Sequence, residues 1–304
     1  MDRTAALTPE RVLRRLEWRV IRRLDGRLQG DYRTLFRGTG IDVADLREYQ
    51  PGDDLRHVDW NVTARMDTPY VREFLEDREV TAWLILDCSP SMDFGPVQRR
   101  KHVVLTEVAA TVAQLLARGG NRVGAVLFDT AVEQTIPPGH GRNQVLRILD
   151  RLIQSPEPTG NDRRDTPRTT DLAVALRAAF GIARRRSLIV IVSDFITEPG
   201  WERPLAQLAR KHDVVAIQVL DRREFELPAA GMIYVEDAET GEQIFLDSDD
   251  AGFQQRLSAA AEERQAALAA GALTAGTDLF TVTTDDDLVR ALFRISELRR
   301  RRRR

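Results

Sequence analysis

The sequence predicts an α/β fold: a doubly wound, mostly parallel sheet with helices on both faces, plus a small N-terminal helix-and-strand extension. Three observations predict it. From Thr81 onward, short apolar runs alternate with segments of helical length and periodicity, the rhythm of strand–helix–strand units. The run from Ser187 to Val192 is almost continuously apolar, as a central parallel strand covered on both faces must be. The run Ala82-Trp83-Leu84-Ile85-Leu86 ends abruptly in Asp87-Cys88-Ser89-Pro90-Ser91. That ending delivers polar groups to the carboxyl edge of the sheet, where open α/β sheets hold their ligands.

The elements follow in order. Thr8-Pro9-Glu10 is a helix start, with a capping hydroxyl and then Pro at the first helical position. Leu13, Leu16, Val20, Leu24 and Leu28 recur at helical spacing with arginines opposite, and Gly30 closes the segment. Residues 37–79 are dense in charge and turns, with Gly38-Thr39-Gly40, a turn at Pro51-Gly52-Asp53 and a possible strand from Tyr70 to Phe74. Strands are expected over 81–86, 123–128, 187–192, 214–220 and 279–282, with an antiparallel strand over 132–136. Helices are expected over 101–117, 143–153, 171–183, 201–212, 251–270 and 285–298. Met232 to Leu246 reads as a hairpin turning at Glu239-Thr240-Gly241. This gives an N-terminal segment over 1–80, a sheet domain over 81–298, and a disordered arginine tail over 299–304.

Composition narrows the function classes. A chain of 304 residues with 42% hydrophobic and 30% charged residues can bury one good-sized core. The net charge of -2 gives no global case for nucleic acid or an anionic membrane. Basic residues are almost all Arg, with Lys only at 101 and 211. A single cysteine, Cys88, excludes internal disulfides and fits a reducing compartment. No apolar run approaches membrane-spanning length and no signal-peptide core opens the chain, so a cytoplasmic protein is expected.

The chemistry-bearing residues gather around the first strand end. Asp87-x-Ser89-x-Ser91 offers one carboxylate and two hydroxyls. If strands 81–86 and 187–192 are neighbours, Asp194 in Ser193-Asp194-Phe195 arrives beside Asp87. Arg168-Thr169-Thr170-Asp171-Leu172 enters a helix and offers a threonine hydroxyl, from Thr169 or, in better register, Thr170. Oxygen donors of this kind suit a hard divalent cation, Mg²⁺ or Mn²⁺, rather than zinc. Neutral hydroxyls leave much of the ion's charge uncompensated, which favours an incoming Asp or Glu carboxylate from another protein. The expected site is therefore Asp87, Ser89, Ser91, Thr170 and Asp194, acting as a docking device with no catalytic residue.

These residues resemble the metal-ion-dependent adhesion site of von Willebrand factor A domains. The resemblance narrows to the bacterial family called domain of unknown function 58. It is carried by Arg47-x-Tyr49-x-Pro51-Gly52-Asp53-Asp54-x-Arg56-x-x-Asp59-Trp60, by Ala64-Arg65, by Leu220-Asp221 with Glu224-x-Glu226-Leu227-Pro228, and by Asp237-x-x-Thr240-Gly241. Similar proteins are associated with MoxR-type AAA+ ATPases. The resemblance therefore implies an adaptor for a chaperone-like machine, bound to that ATPase, to a client protein, or to both. Asn121 stands where the family commonly has Asp before Arg-Val-Gly, a departure expected to affect only a turn. Many relatives carry membrane segments, and none is visible here.

Plainer roles are expected elsewhere. The Asp53, Asp54, Arg56, Asp59 and Arg65 cluster reads as a buried ion-pair network or a partner surface, the network being favoured, and Trp60 reads as core. Cys88 reads as a small buried filler. His57, His102, His140 and His212 show no ligand spacing. The arginine tail, without aromatic interleaving, reads as solvated and gives no nucleic-acid site. The competing function is a metal-dependent hydrolase or phosphatase using Asp87 and Asp194. Against it, no Lys or Arg is tied by motif to the site, and no glycine-rich phosphate loop is present.

Overall fold

The computed structural model describes residues 8–22, 24, 46–51, 53, 55, 58–66, 68–72, 80–95, 99–154, 169–228, 230–236 and 243–302. Helix α1 (Pro9–Leu16) continues as a wider π-helical turn over Glu17–Ile21. The short strands β1 (Leu46–Glu48) and β2 (Tyr70–Arg72) pair antiparallel and flank α2 (Trp60–Met66). The main domain runs β3 (Thr81–Asp87), α3 (Lys101–Arg118), β4 (Arg122–Phe128), β5 (Val132–Gly139), α4 (Gly141–Gln154), α5 (Leu172–Ile182), β6 (Leu188–Ser193), α6 (Glu202–Lys211) and β7 (Asp213–Leu220). A hairpin of β8 (Met232–Glu236) and β9 (Gln243–Asp247) follows, then α7 (Ala251–Thr274), β10 (Asp278–Thr283) and α8 (Leu288–Arg302).

Six strands form one sheet in the order β10-β7-β6-β3-β4-β5, parallel except for β5 at the edge. Its alternation explains why the strand sequences are apolar throughout. Ala82, Leu84 and Leu86 enter one core with residues of α1, α3, α4 and α8, whereas Trp83 and Ile85 enter the other with residues of α5, α6 and α7. Gly124 is required by this packing. A Cβ there would lie 2.9 Å from both the Trp83 ring and the Ile136 carbonyl oxygen. Asn121 closes the turn before β4 by accepting from the Val80 N–H at 3.1 Å and donating to the Leu116 carbonyl at 3.1 Å.

The N-terminal helix shares the main core: Leu13, Leu16, Val20, Ile21 and Leu24 are buried with residues of α3, α4 and α8. Two expectations are corrected. Trp60 is 68% exposed on the first residue of α2, because buried Asp59 occupies the inward position and accepts from the Val62 N–H at 3.3 Å to start that helix. The chain is helical from Leu288 through Arg302 rather than disordered from Arg299. The reason is local: the Arg299 guanidinium, 3% exposed, reaches both oxygens of Asp213 at 2.8 Å. Gly38-Thr39-Gly40, Asp54, Arg56, His57, Arg168, Asp237, the Glu239-Thr240-Gly241 turn and Arg303-Arg304 lie outside the described residues.

Candidate metal and docking site

Strand pairing assembles the site. β3 lies between β4 and β6, with Leu86 opposite Val192 and Asp87 opposite Phe128. The β3 and β6 ends therefore release Asp87 and Asp194 side by side at the carboxyl edge. The Asp87 carboxylate accepts from the Ser89 N–H at 3.0 Å through one oxygen and from the Ser193 hydroxyl through the other. Ser193 Oγ in turn accepts from the Phe195 N–H at 2.8 Å. Phe195 has φ of 59°, a left-handed conformation uncommon outside glycine, and its ring packs edge-on against Trp201. Ser89 and Ser91 are buried, with their hydroxyl oxygens 3.0 Å apart.

Thr170 is fully buried, whereas Thr169 is exposed, so Thr170 is the inward member of the pair. Its carbonyl accepts from the Thr197 hydroxyl at 2.8 Å and the Glu198 N–H at 2.9 Å, which ties the loop before α5 to the loop after β6. Asp171 caps α5 by accepting from the Val174 N–H at 3.1 Å. Cys88 is half-buried against the core, with its thiol directed at the Leu86 carbonyl.

The electrostatics at Asp87 are those of a carboxylate short of positive charge. Burial, and then the charge of Asp194, push its pKa up to about 7, against the opposing hydrogen bonds from Ser193 and Ser89.

Sequence reasoning missed Lys101. The first residue of α3 is 1% exposed, and its ammonium lies 2.7 Å from Asp194 Oδ2 and 2.6 Å from Glu224 Oε1. Burial works against its charge, but Asp194 and Glu224 outweigh that and hold its pKa above the usual value. Glu224 belongs to a 3₁₀ turn after β7 (Arg222–Glu224). Burial raises the Glu224 pKa and Lys101 opposes the rise. The available signal was composition: one of only two lysines in an arginine-rich chain opens the helix that follows the Asp-x-Ser-x-Ser motif.

The residues fit a hard divalent cation. An octahedral Mg²⁺ with ligands at about 2.0–2.1 Å separates adjacent ligand atoms by about 2.9 Å, close to the 3.0 Å between the two serine hydroxyls, which share a hydrogen bond. Among the described residues, no group of three or more His, Cys, Asp or Glu side chains is arranged to hold a metal. A cation here would therefore depend on hydroxyls, the donor set least suited to zinc.

The chain leaving this edge at the end of β7 carries an arm. The β8–β9 hairpin is inserted between the carboxyl end of β7 and α7. Met232, Tyr234, Ile244 and Phe245 on it are each more than half exposed, and the Tyr234 and Phe245 rings pair across the strands at 4.5 Å between centroids. Exposed apolar side chains clustered in this way mark interaction surfaces.

The model of a family described as protein of unknown function DUF58 matches residues 45–267. Uncharacterized protein Mb1516 of Mycobacterium bovis and uncharacterized protein Rv1480 of Mycobacterium tuberculosis are each 38% identical over 289 residues, 95% of this chain and 89% of the relative. Among solved structures, BatB from Bacteroides thetaiotaomicron aligns with a TM-score of 0.44 at 17% identity, over 72% of this chain and 96% of that one. The von Willebrand factor type A protein from Catenulispora acidiphila aligns with a TM-score of 0.38 at 12% identity, over 73% of this chain and 42% of that one. No helix among the described residues is long and apolar enough to cross a membrane.

Proposed function

The chain belongs to the DUF58 family, and from that premise we propose that it is a non-catalytic, metal-ion-dependent protein-interaction module. Mg²⁺ or Mn²⁺ is held by Asp87, Ser89, Ser91, Thr170 and Asp194, and an Asp or Glu of a partner completes the coordination. The partner is a MoxR-type AAA+ ATPase, a client protein offered to it, or both, in the cytoplasm. The observation that carries this reading is the pair of serine hydroxyls at ligand spacing beside a buried, charge-deficient Asp87. The apolar hairpin on the same edge supplies contact area around the metal.

The hydrolase reading gains one observation, because Lys101 does stand at the site. Its ammonium is 1% exposed and committed to Asp194 and Glu224, so it cannot meet a substrate phosphate. The docking reading keeps the advantage.

The test is affinity purification of the tagged protein with the MoxR-type ATPase of the same organism, in Mg²⁺ and in EDTA, for wild type and Asp87→Ala. Capture in Mg²⁺, lost in EDTA and in the variant, is the expected result. Capture indifferent to both overturns the proposal. Phosphatase activity abolished by Asp87→Ala would favour the hydrolase.

A further inference from the structure

We infer that Lys101 and Glu224 set the net charge of the Asp87 site, and thereby its affinity for a divalent cation; this rests on the metal-docking reading above. An ammonium buried to 1% exposure costs several kcal/mol unless it is paired. Lys101 is paired twice, with carboxylates released from the ends of two adjacent strands, Asp194 after β6 and Glu224 after β7. Asp194 is shared: its other oxygen accepts from the Ile196 N–H at 2.9 Å. Lys101 thus acts directly on one of the proposed metal-site carboxylates.

The charges close on a divalent ion. Asp87, Asp194 and Glu224 contribute three negative charges and Lys101 one positive, which leaves two to be balanced. Arg264 lies 3.7 Å from the second Glu224 oxygen, but its side chain is 53% exposed and its charge is screened by water. Glu224 makes its ion pairs with Lys101 and Arg264 and none with Asp87, Ser89 or Ser91, so its effect on a cation is one of charge rather than ligation. Lys101 lowers the site from three negative charges to two, so that with a cation bound a partner carboxylate meets a neutral site rather than a net negative one.

This assignment makes variants of opposite sign. Titrating MnCl₂ into the full chain by calorimetry, Glu224→Gln removes a negative charge and lowers Mn²⁺ affinity about tenfold. Lys101→Met removes the positive charge and raises it by a similar factor. The double variant Lys101→Met/Glu224→Gln restores the wild-type charge and binds within about threefold of wild type. Should Lys101→Met fail to fold, Glu224→Gln and the double variant carry the test. A purely structural role for Lys101 predicts weaker binding in both the Lys101 variant and the double variant. Wild-type binding with unchanged affinity in Glu224→Gln overturns this inference alone. No Mn²⁺ binding by wild type overturns it together with the docking reading.

Discussion

The hydroxyl oxygens of Ser89 and Ser91 lie 3.0 Å apart, joined by the fixed φ of Pro90 and backed by the 3₁₀ turn from Pro90 to Asp93. A pair held this way can occupy neighbouring corners of an octahedron once the donor hydroxyl rotates out of the hydrogen bond the two share. Ser89→Ala and Ser91→Ala are each expected to weaken Mn²⁺ binding by about tenfold or more. Stability should change by no more than about 1 kcal/mol, the net value of one hydrogen bond. Calorimetric titration and denaturant unfolding measure the two quantities separately.

On the docking reading, Asp87 would make metal binding depend on pH. With its pKa raised to about 7 by burial and by Asp194, the cation must displace a proton below that pH. Mn²⁺ affinity should fall by close to tenfold per unit below about pH 7 and level off above it. Without metal the sign for stability is opposite to the usual carboxylate. The folded chain keeps a proton that the unfolded chain releases, so stability is lost as pH rises from 3.8 toward about 7. Unfolding midpoints across that window, with and without Mn²⁺, test both statements.

Much of this site was legible because strand ends are legible. An apolar run broken by Asp87-x-Ser-x-Ser, and a second broken by Ser193-Asp194, fix the carboxyl edge once the two strands are neighbours. The Lys101 contact was not legible in the same way, because it joins a helix start to two separate strand ends. Trp60 and Arg299 depart from expectation for a related reason: residue type is a poor guide to burial where a specific neighbour decides the position. For Trp60 it was the inward Asp59 on the same turn. For Arg299 it was the carboxylate of Asp213 at the start of β7.

Arg299 gives a direct test of that pairing. Arg299→Ala leaves Asp213 facing a site built around a guanidinium, and should cost about 3–5 kcal/mol. Arg294→Ala is the control: its side chain is 55% exposed and 3.5 Å from Asp286, a contact worth about 0–1 kcal/mol. Urea unfolding of the two variants should differ clearly, and equal stability would show the Arg299 helix end to be dispensable.

His212 is expected to make the fold sensitive to mild acid. Its Nδ1 accepts from the Ser187 N–H at 3.2 Å, which requires the neutral ring. Burial, and then Lys211 and Arg186, lower its pKa from 6.5 to about 4. Above pH 6.5 folded and unfolded chains are both neutral here, and the full contribution is present. As pH falls from 6.5 toward 4, the unfolded chain takes up a proton the folded chain refuses, and stability declines. In His212→Asn the side-chain oxygen can still accept from Ser187, so that part of the pH slope should vanish while stability near neutrality changes little. An unchanged slope would place the acid sensitivity elsewhere.

Tyr234 and Phe245 separate docking from folding. Their rings face each other across the hairpin and stay more than half exposed, so they bury little area within the chain. Replacing both with serine removes the apolar face of the hairpin, while every strand of the six-stranded sheet keeps its neighbours. Thermal unfolding of the Tyr234→Ser/Phe245→Ser chain should match wild type within a few degrees, and Mn²⁺ affinity should be unaltered. Capture of the MoxR-type ATPase in Mg²⁺ should fall by tenfold or more, as expected when an aromatic anchor leaves an interface. Retained capture with both rings gone would confine the contact to the metal and its immediate rim.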